Sequence, residues 1–218
     1  MNSLPWPPGR FFIMRHGETV FNAARRLQGE EAHTPLTGSG VAQAIEMGAR
    51  LHGALGHAPA VTLHVSDTGR ALQTLALVTD RLGLDWFAAK RDARLREIGM
   101  GAWGGRLYED VQNEVANELG PIVDADHLLH PAPGGEGYPA IAARLTSWLN
   151  DVGQIGGDHL VVMHGISSRV LRGVMSGLAL HPRYRAPIAP GLTQGSITLI
   201  EGGVDGLLYG ATIGAMHA

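Results

Sequence analysis

The chain has 218 residues, a formal charge of −3 and no cysteine, which excludes a disulfide framework and any thiolate nucleophile or metal ligand. Near-neutral charge without a basic block argues against a general nucleic-acid binder and a membrane-surface binder. No apolar run approaches ~20 residues, and Met1–Gly9 has three prolines and no basic start, so neither a membrane span nor a signal peptide is expected and the cytoplasm is the default location.

At this length one sizeable core and one domain are expected. In chain order, Phe11–Met14 reads as a buried strand that runs out into Arg15-His16-Gly17. An arginine grips phosphate with two hydrogen bonds, and a neutral imidazole is a nucleophile at neutral pH. Thr37 is a plausible N-cap for a helix over Thr37–Leu55, with Ala42, Ile45, Ala49 and Leu51 at roughly helical spacing. A second strand, Val61–Ser66, leads through Asp67-Thr68 into a helix over Gly69–Leu82. Arg70 falls in its first turn, where free backbone N–H groups favour an anion, so a cation there asks for an anion beside it. Trp86–Ala89 is a weaker strand candidate.

The segment Leu95-Arg96-Glu97 has no clear period and places a carboxylate on a loop, where a partly dry cleft would suit it to proton transfer. A helix over Tyr108–Leu119 precedes residues 121–138, whose three prolines and three glycines interrupt the pattern. Residues 104–138 therefore read as a cap or lid inserted over the sheet. A helix over Pro139–Val152 follows, then a strand over His159–His164 and a helix over Ile166–Leu178. The strand ends at His164-Gly165 as the first ended at His16-Gly17, and two such histidines can meet at the carboxyl edge of one sheet. Arg169 and Arg172 fall three apart on what reads as an exposed helix face. Ser196–Glu201 and, more weakly, Leu207–Ile213 complete the strands. Such alternation implies an α/β fold with three layers, a mainly parallel sheet with helices on both faces.

Arg15-His16-Gly17-Glu18-Thr19, then Asn22, Leu27-Gln28-Gly29 and Pro35-Leu36-Thr37 with Gly40 and Gln43, resemble the opening of the histidine phosphatase superfamily, the phosphoglycerate mutase-like group. Ser66-Asp67 with Gly69-Arg70-Ala71 and Gln73-Thr74 resembles its second motif. Leu95-Arg96-Glu97 with Gly101 and Trp103 resembles the third, and Val162-Met163-His164-Gly165 the fourth. The match runs in order from about Phe11 to Leu199.

The resemblance implies a phosphoglycerate mutase-like sheet with a pocket at its strand ends. It casts His16 as the residue that becomes phosphorylated and Glu97 as the acid/base. Arg15, Arg70 and His164 would bind phosphoryl oxygens, with Asn22 and Gly165 lining the phosphate site. The activity implied is metal-independent hydrolysis of a small-molecule phosphomonoester through phosphohistidine, a broad-specificity acid phosphatase needing no cofactor. The chemistry agrees, because phosphoryl transfer needs positioning and charge stabilisation above all. Four departures lie where the leaving group or outer shell would be: Gly104 and Gly137 replace a common glutamate and serine, Gln194 replaces an asparagine, and His33-Thr34 stand near a missing aspartate.

Four other readings compete, the last of them a metal site. Mutases of the group follow the third-motif glutamate with an Arg-His-Tyr-Gly-like run, whereas this chain reads Glu97-Ile98-Gly99-Met100-Gly101, which favours hydrolysis. Gly99-Met100-Gly101-Ala102-Trp103-Gly104 matches a dinucleotide fingerprint but lacks the strand before and the helix after. A non-catalytic phosphate binder should have lost the nucleophile or the acid. No His-Glu-x-x-His pattern appears among the 11 histidines, most of which read as surface groups.

Overall fold

The apolar runs pair into one six-stranded sheet in a computed structural model that describes residues 8–211. Its strands are β1 (Arg10–Arg15), β2 (Val61–Val65), β3 (Lys90–Arg91), β4 (Asp158–Met163), β5 (Ile197–Glu201) and β6 (Val204–Tyr209). They lie in the order β3-β2-β4-β1-β5-β6. The first four are mutually parallel, while β5 runs antiparallel to both β1 and β6. The sheet is thus mixed but mostly parallel, as the alternation of strands and helices implied.

The helices are α1 (Val20–Ala23), α2 (Gly38–Leu55), α3 (Gly69–Leu82), α4 (Tyr108–Leu119), α5 (Tyr138–Val152) and α6 (Gly165–Met175). Side chains alternate across the pleat, so each central strand feeds two cores. Phe12, Met14, Leu160 and Val162 pack with α2 and α3 residues such as Met47, Leu51, Leu75 and Val78. Phe11, Ile13, Val161 and Met163 pack with Leu145 and Trp148 of α5 and Val170 of α6. Burial on both faces explains why these strands read as continuous apolar runs.

Several local expectations are corrected. Trp86–Ala88 forms a 3-10 turn, because Asp85 caps it through the Phe87 N–H at 2.9 Å; the strand β3 follows with two residues only. The last strand begins three residues before Leu207 and ends at Tyr209, and the expected positions 212 and 213 lie outside the described residues. α6 ends at Met175. Thr37 does cap α2, accepting from the Gly40 N–H at 3.1 Å. The buried face of α2, however, carries Gly40, Ala44, Met47, Gly48 and Leu51, and Ile45 points outward. Glycine sets that face: a Cβ on Gly40 would overlap the Glu18 backbone, and one on Gly48 would crowd Arg81.

Candidate active site

Strand register brings the two His-Gly turns together. Arg15 of β1 is level with Met163 of β4, and the His16 N–H donates to the Met163 carbonyl at 3.1 Å. The residues after both strand ends therefore leave the sheet side by side. Here the chain also departs to opposite faces, which is where open α/β sheets bind ligands. The rings of His16 and His164 meet edge to face, with centroids 5.2 Å apart.

His16 is buried, and its Nδ1 lies 2.7 Å from the Gly17 carbonyl oxygen. A carbonyl only accepts, so Nδ1 carries the proton and Nε2 of the neutral ring is bare. Gly17 is held in turn by α2, since a Cβ on Gly17 would overlap the Gly40 backbone. The His16 pKa is driven well below its ordinary value, by burial first and then by the Arg70 and Arg15 charges. The ring is thus unprotonated at neutral pH.

His164 caps the start of α6 and is fully buried. Arg70 Nε donates to its Nδ1 at 3.1 Å, so its proton sits on Nε2, 2.8 Å from the Ser66 hydroxyl. Burial, then Arg70 and His16, hold this imidazole well below its ordinary pKa too. It stands here as a neutral ring held between a guanidinium and a hydroxyl.

Both arginines are buried. Arg15 donates from Nη1 to the Leu192 carbonyl at 2.5 Å and lies flat beneath Gly165, where an added Cβ would sit 3.3 Å from the guanidinium carbon. Arg70 donates from Nη1 to the Glu31 carbonyl at 2.6 Å and to Thr34 Oγ1 at 3.2 Å, and from Nη2 to the Gly29 carbonyl at 2.5 Å. Burial pushes each down to about 10, offset by the Glu97 carboxylate, so both remain cations at neutral pH. Thr34, at the place where the aspartate is missing, thus buttresses Arg70.

Glu97 is 4% exposed and bridges from its loop to the start of α6. Oε1 accepts from the Ile98 and Ser167 N–H groups at 3.0 and 2.9 Å, and Oε2 accepts from the Ile166 N–H at 3.0 Å. A carboxylate at a helix N-terminus satisfies otherwise orphaned donors and suits the helix dipole. Asn22 is buried in α1, where its Oδ1 accepts from the Thr19 N–H at 3.1 Å in a capping box. The structure therefore gathers Arg15, His16, Arg70, Glu97, His164 and Gly165 at one sheet edge.

Other expectations fail. Arg169 and Arg172 are buried, because loops cross the outer face of α6: Arg169 donates to the Ala189 and His127 carbonyls, Arg172 to Asp205 and the Pro190 carbonyl. Four histidines, His16, His64, His159 and His164, are buried, and the other described ones are half-buried or exposed. The rejection of the dinucleotide fingerprint stands, since Gly101–Trp103 is a 3-10 turn with no strand leading into it, and Trp103 is buried in the core. Sequence reasoning missed Arg144 of α5, which holds the acid's loop through the Arg94 and Glu97 carbonyls at 2.5 and 3.2 Å. Carbonyl acceptors leave no side-chain signature, so nothing in the sequence pointed to it.

The profile of the histidine phosphatase superfamily (branch 1) matches residues 11–207. The chain belongs to that superfamily. It is 31% identical over 178 residues to a probable phosphoglycerate mutase GpmB of Yersinia pestis, covering 80% of this chain and 78% of that one. Among solved structures it resembles Bacillus stearothermophilus YhfR, with a TM-score of 0.71 at 27% identity over 95% of this chain and 98% of that one. It also resembles the mycobacterial glucosyl-3-phosphoglycerate phosphatase Rv2419c in complex with VO3, with a TM-score of 0.67 at 25% identity over 88% and 92% of the two chains. No helix among the described residues is long and apolar enough to cross a membrane.

Proposed function

We propose that this superfamily member hydrolyses phosphomonoesters of small metabolites, with His16 as the nucleophile. The observation that carries the reading is the His16 tautomer: its proton is tied to the Gly17 carbonyl, which leaves Nε2 as a lone pair beside two buried cations. A phosphomonoester brings about −1.5 to −2 charge, which Arg15 and Arg70 offset. Nε2 attacks phosphorus in line while Glu97, which takes up the proton that the monoanionic ester carries in, gives it to the leaving alkoxide. Glu97, now a carboxylate oriented by the α6 N–H groups, takes a proton from water. The hydroxide cleaves phosphohistidine, releasing phosphate and restoring both side chains. Asn22, Gly165 and His164 line the phosphoryl site, with His164 turning an N–H to it by releasing Ser66. Residues 104–138 act as the cap, and the chemistry needs no metal.

Two named relatives point in different directions. The phosphatase with VO3 supports hydrolysis; the probable mutase supports phosphoryl return to a second hydroxyl. The Ile98-Gly99-Met100 run that replaces the mutase-like sequence favours water as the acceptor. The test is incubation with 3-phosphoglycerate and a panel of phosphomonoesters in chelator without added metal. Free phosphate and an acid-labile phosphoenzyme are expected. Accumulation of 2-phosphoglycerate without free phosphate would establish the mutase instead.

A further inference from the structure

A cavity of about 540 Å³ opens beside the proposed acid, with both Glu30 and Glu97 in its lining. We propose that it receives the alcohol portion of the substrate and selects neutral, hydroxyl-rich alcohols over those bearing a second anionic group. The proposal deepens the hydrolase reading above.

Its position follows from the loops that form it. Glu30 lies between Gly29 and Glu31, whose carbonyls both hold Arg70. Glu97, the group that must reach the leaving oxygen, also lines the cavity. The cavity thus adjoins the proposed acid, and the loop that supplies Glu30 to it also holds Arg70. Glu30 reaches across it: its Oε2 is 3.7 Å from where a Cβ on Gly99 would stand.

The charge in the cavity is acidic once existing pairs are set aside. Arg96 is bound through both arms to Asp67, at 2.6 Å each. Arg144 is committed to Glu136, at 2.7 and 2.9 Å, and to two carbonyls. Neither guanidinium is free to receive a carboxylate or a second phosphate. Glu30 makes no ion pair within 4 Å among the described residues, and its charge acts on Arg96 only at longer range. The remaining wall is largely glycine backbone, at Gly99, Gly101, Gly134 and Gly135, and none of the lining residues is aromatic. Peptide N–H and carbonyl groups together with a carboxylate suit hydroxyls; a nucleobase would find no ring to stack on.

Glycerol 3-phosphate and 3-phosphoglycerate test this directly, since they differ only in a hydroxymethyl against a carboxylate. Their dissociation constants are measured by calorimetry on His16→Ala, whose fold is checked by circular dichroism, so that turnover does not intervene. The neutral alcohol's ester is expected to bind about tenfold or more tightly, from one like-charge pair at partly screened distance. Roughly 0.5 M salt and Glu30→Gln should each narrow that gap. Equal or tighter binding of 3-phosphoglycerate, or a gap that Glu30→Gln leaves unchanged, overturns the proposal. Turnover is read separately on the unsubstituted protein. Failure to release phosphate from either ester defeats the hydrolase reading, while the binding ratio still decides what the cavity prefers.

Discussion

His16 and His164, just past the carboxyl ends of β1 and β4, have ring centroids 5.2 Å apart; those of His64 and His159, within β2 and β4, are 5.3 Å apart. Both pairs are buried in the same sheet. The interior pair is packed between aromatic rings and a backbone carbonyl. Phe11 stacks on His159 at 4.3 Å, Trp148 meets His64 edge-on at 5.3 Å, and His159 Nε2 lies 2.9 Å from the Ile155 carbonyl. That carbonyl fixes the proton on Nε2 of His159, whose Nδ1 then accepts from His64 Nε2 at 3.1 Å. The strand-end pair instead meets two guanidiniums, a hydroxyl and a carboxylate seated on a helix N-terminus. Burial depresses the pKa of His64 as it does those of His16 and His164. A low imidazole pKa therefore does not separate a site from a core; convergent charge at a strand end does.

Substitution of each pair should break the symmetry most sharply. His16→Ala is expected to reduce phosphate release to the uncatalysed background and abolish the phosphoenzyme, with the circular dichroism spectrum unchanged. His64→Leu/His159→Leu replaces both partners by apolar groups of similar size, which can be nearly neutral for folding. Its turnover should stay within about threefold of the starting protein, because neither ring lies at the strand ends. A double variant as inactive as His16→Ala would show that the interior pair takes part in the chemistry.

The same double variant sharpens the comparison through pH. The His64 imidazole is pushed down to about 3, by burial first and then by His159 and Lys90. An unfolded histidine titrates near about 6.5. Between about 6.5 and about 3 the unfolded chain holds a proton that folded His64 lacks, so stability rises with pH across this window and levels off above it. Each such group contributes a slope of up to about 1.4 kcal/mol per pH unit. His16 and His164 act in the same direction. Urea unfolding between pH 7.5 and 4.5 should therefore show stability falling with acid, less steeply by about one proton's slope in the double variant. Equal slopes in the two proteins would remove His64 from the titration.

Much of this arrangement was legible before any coordinate. Repeated strand-histidine-glycine runs at Phe11–Gly17 and His159–Gly165 placed the two imidazoles at one edge, because parallel central strands end on the same side. What stayed hidden depends on packing between distant segments. The apolar spacing of α2 pointed to Ile45, but two glycines let the opposite register pack more closely. Arg169 and Arg172 look solvent-facing on a helix considered alone, and loops ending near His127 and Pro190 cover them. Glu97 was visible as a carboxylate on a loop, but its seat on α6 joins residues 69 and 70 positions apart. Backbone carbonyls at Gly29, Glu31 and Leu192, which hold the arginines, carry no sequence signature at all.

The smallest expected effect comes from the partner of each second imidazole. His159 donates to a carbonyl, which never gives a proton back, so its tautomer is fixed. His164 donates to the Ser66 hydroxyl, which both donates and accepts, and which lies 3.4 Å from Thr68 Oγ1. A hydroxyl can rotate away and leave the His164 N–H for a phosphoryl oxygen; a carbonyl held in the backbone cannot. Ser66→Ala removes that acceptor from the free protein only, where it competes with the phosphoryl oxygen, so kcat/KM should rise by up to about tenfold, the scale of one neutral hydrogen bond. Ser66→Thr keeps the hydroxyl and should return kcat/KM to the parent value. If Ser66→Ala matched the parent in kcat/KM across the pH range, the hydroxyl would be a packing group, and the strand-end pair would differ from the interior pair by its cations alone.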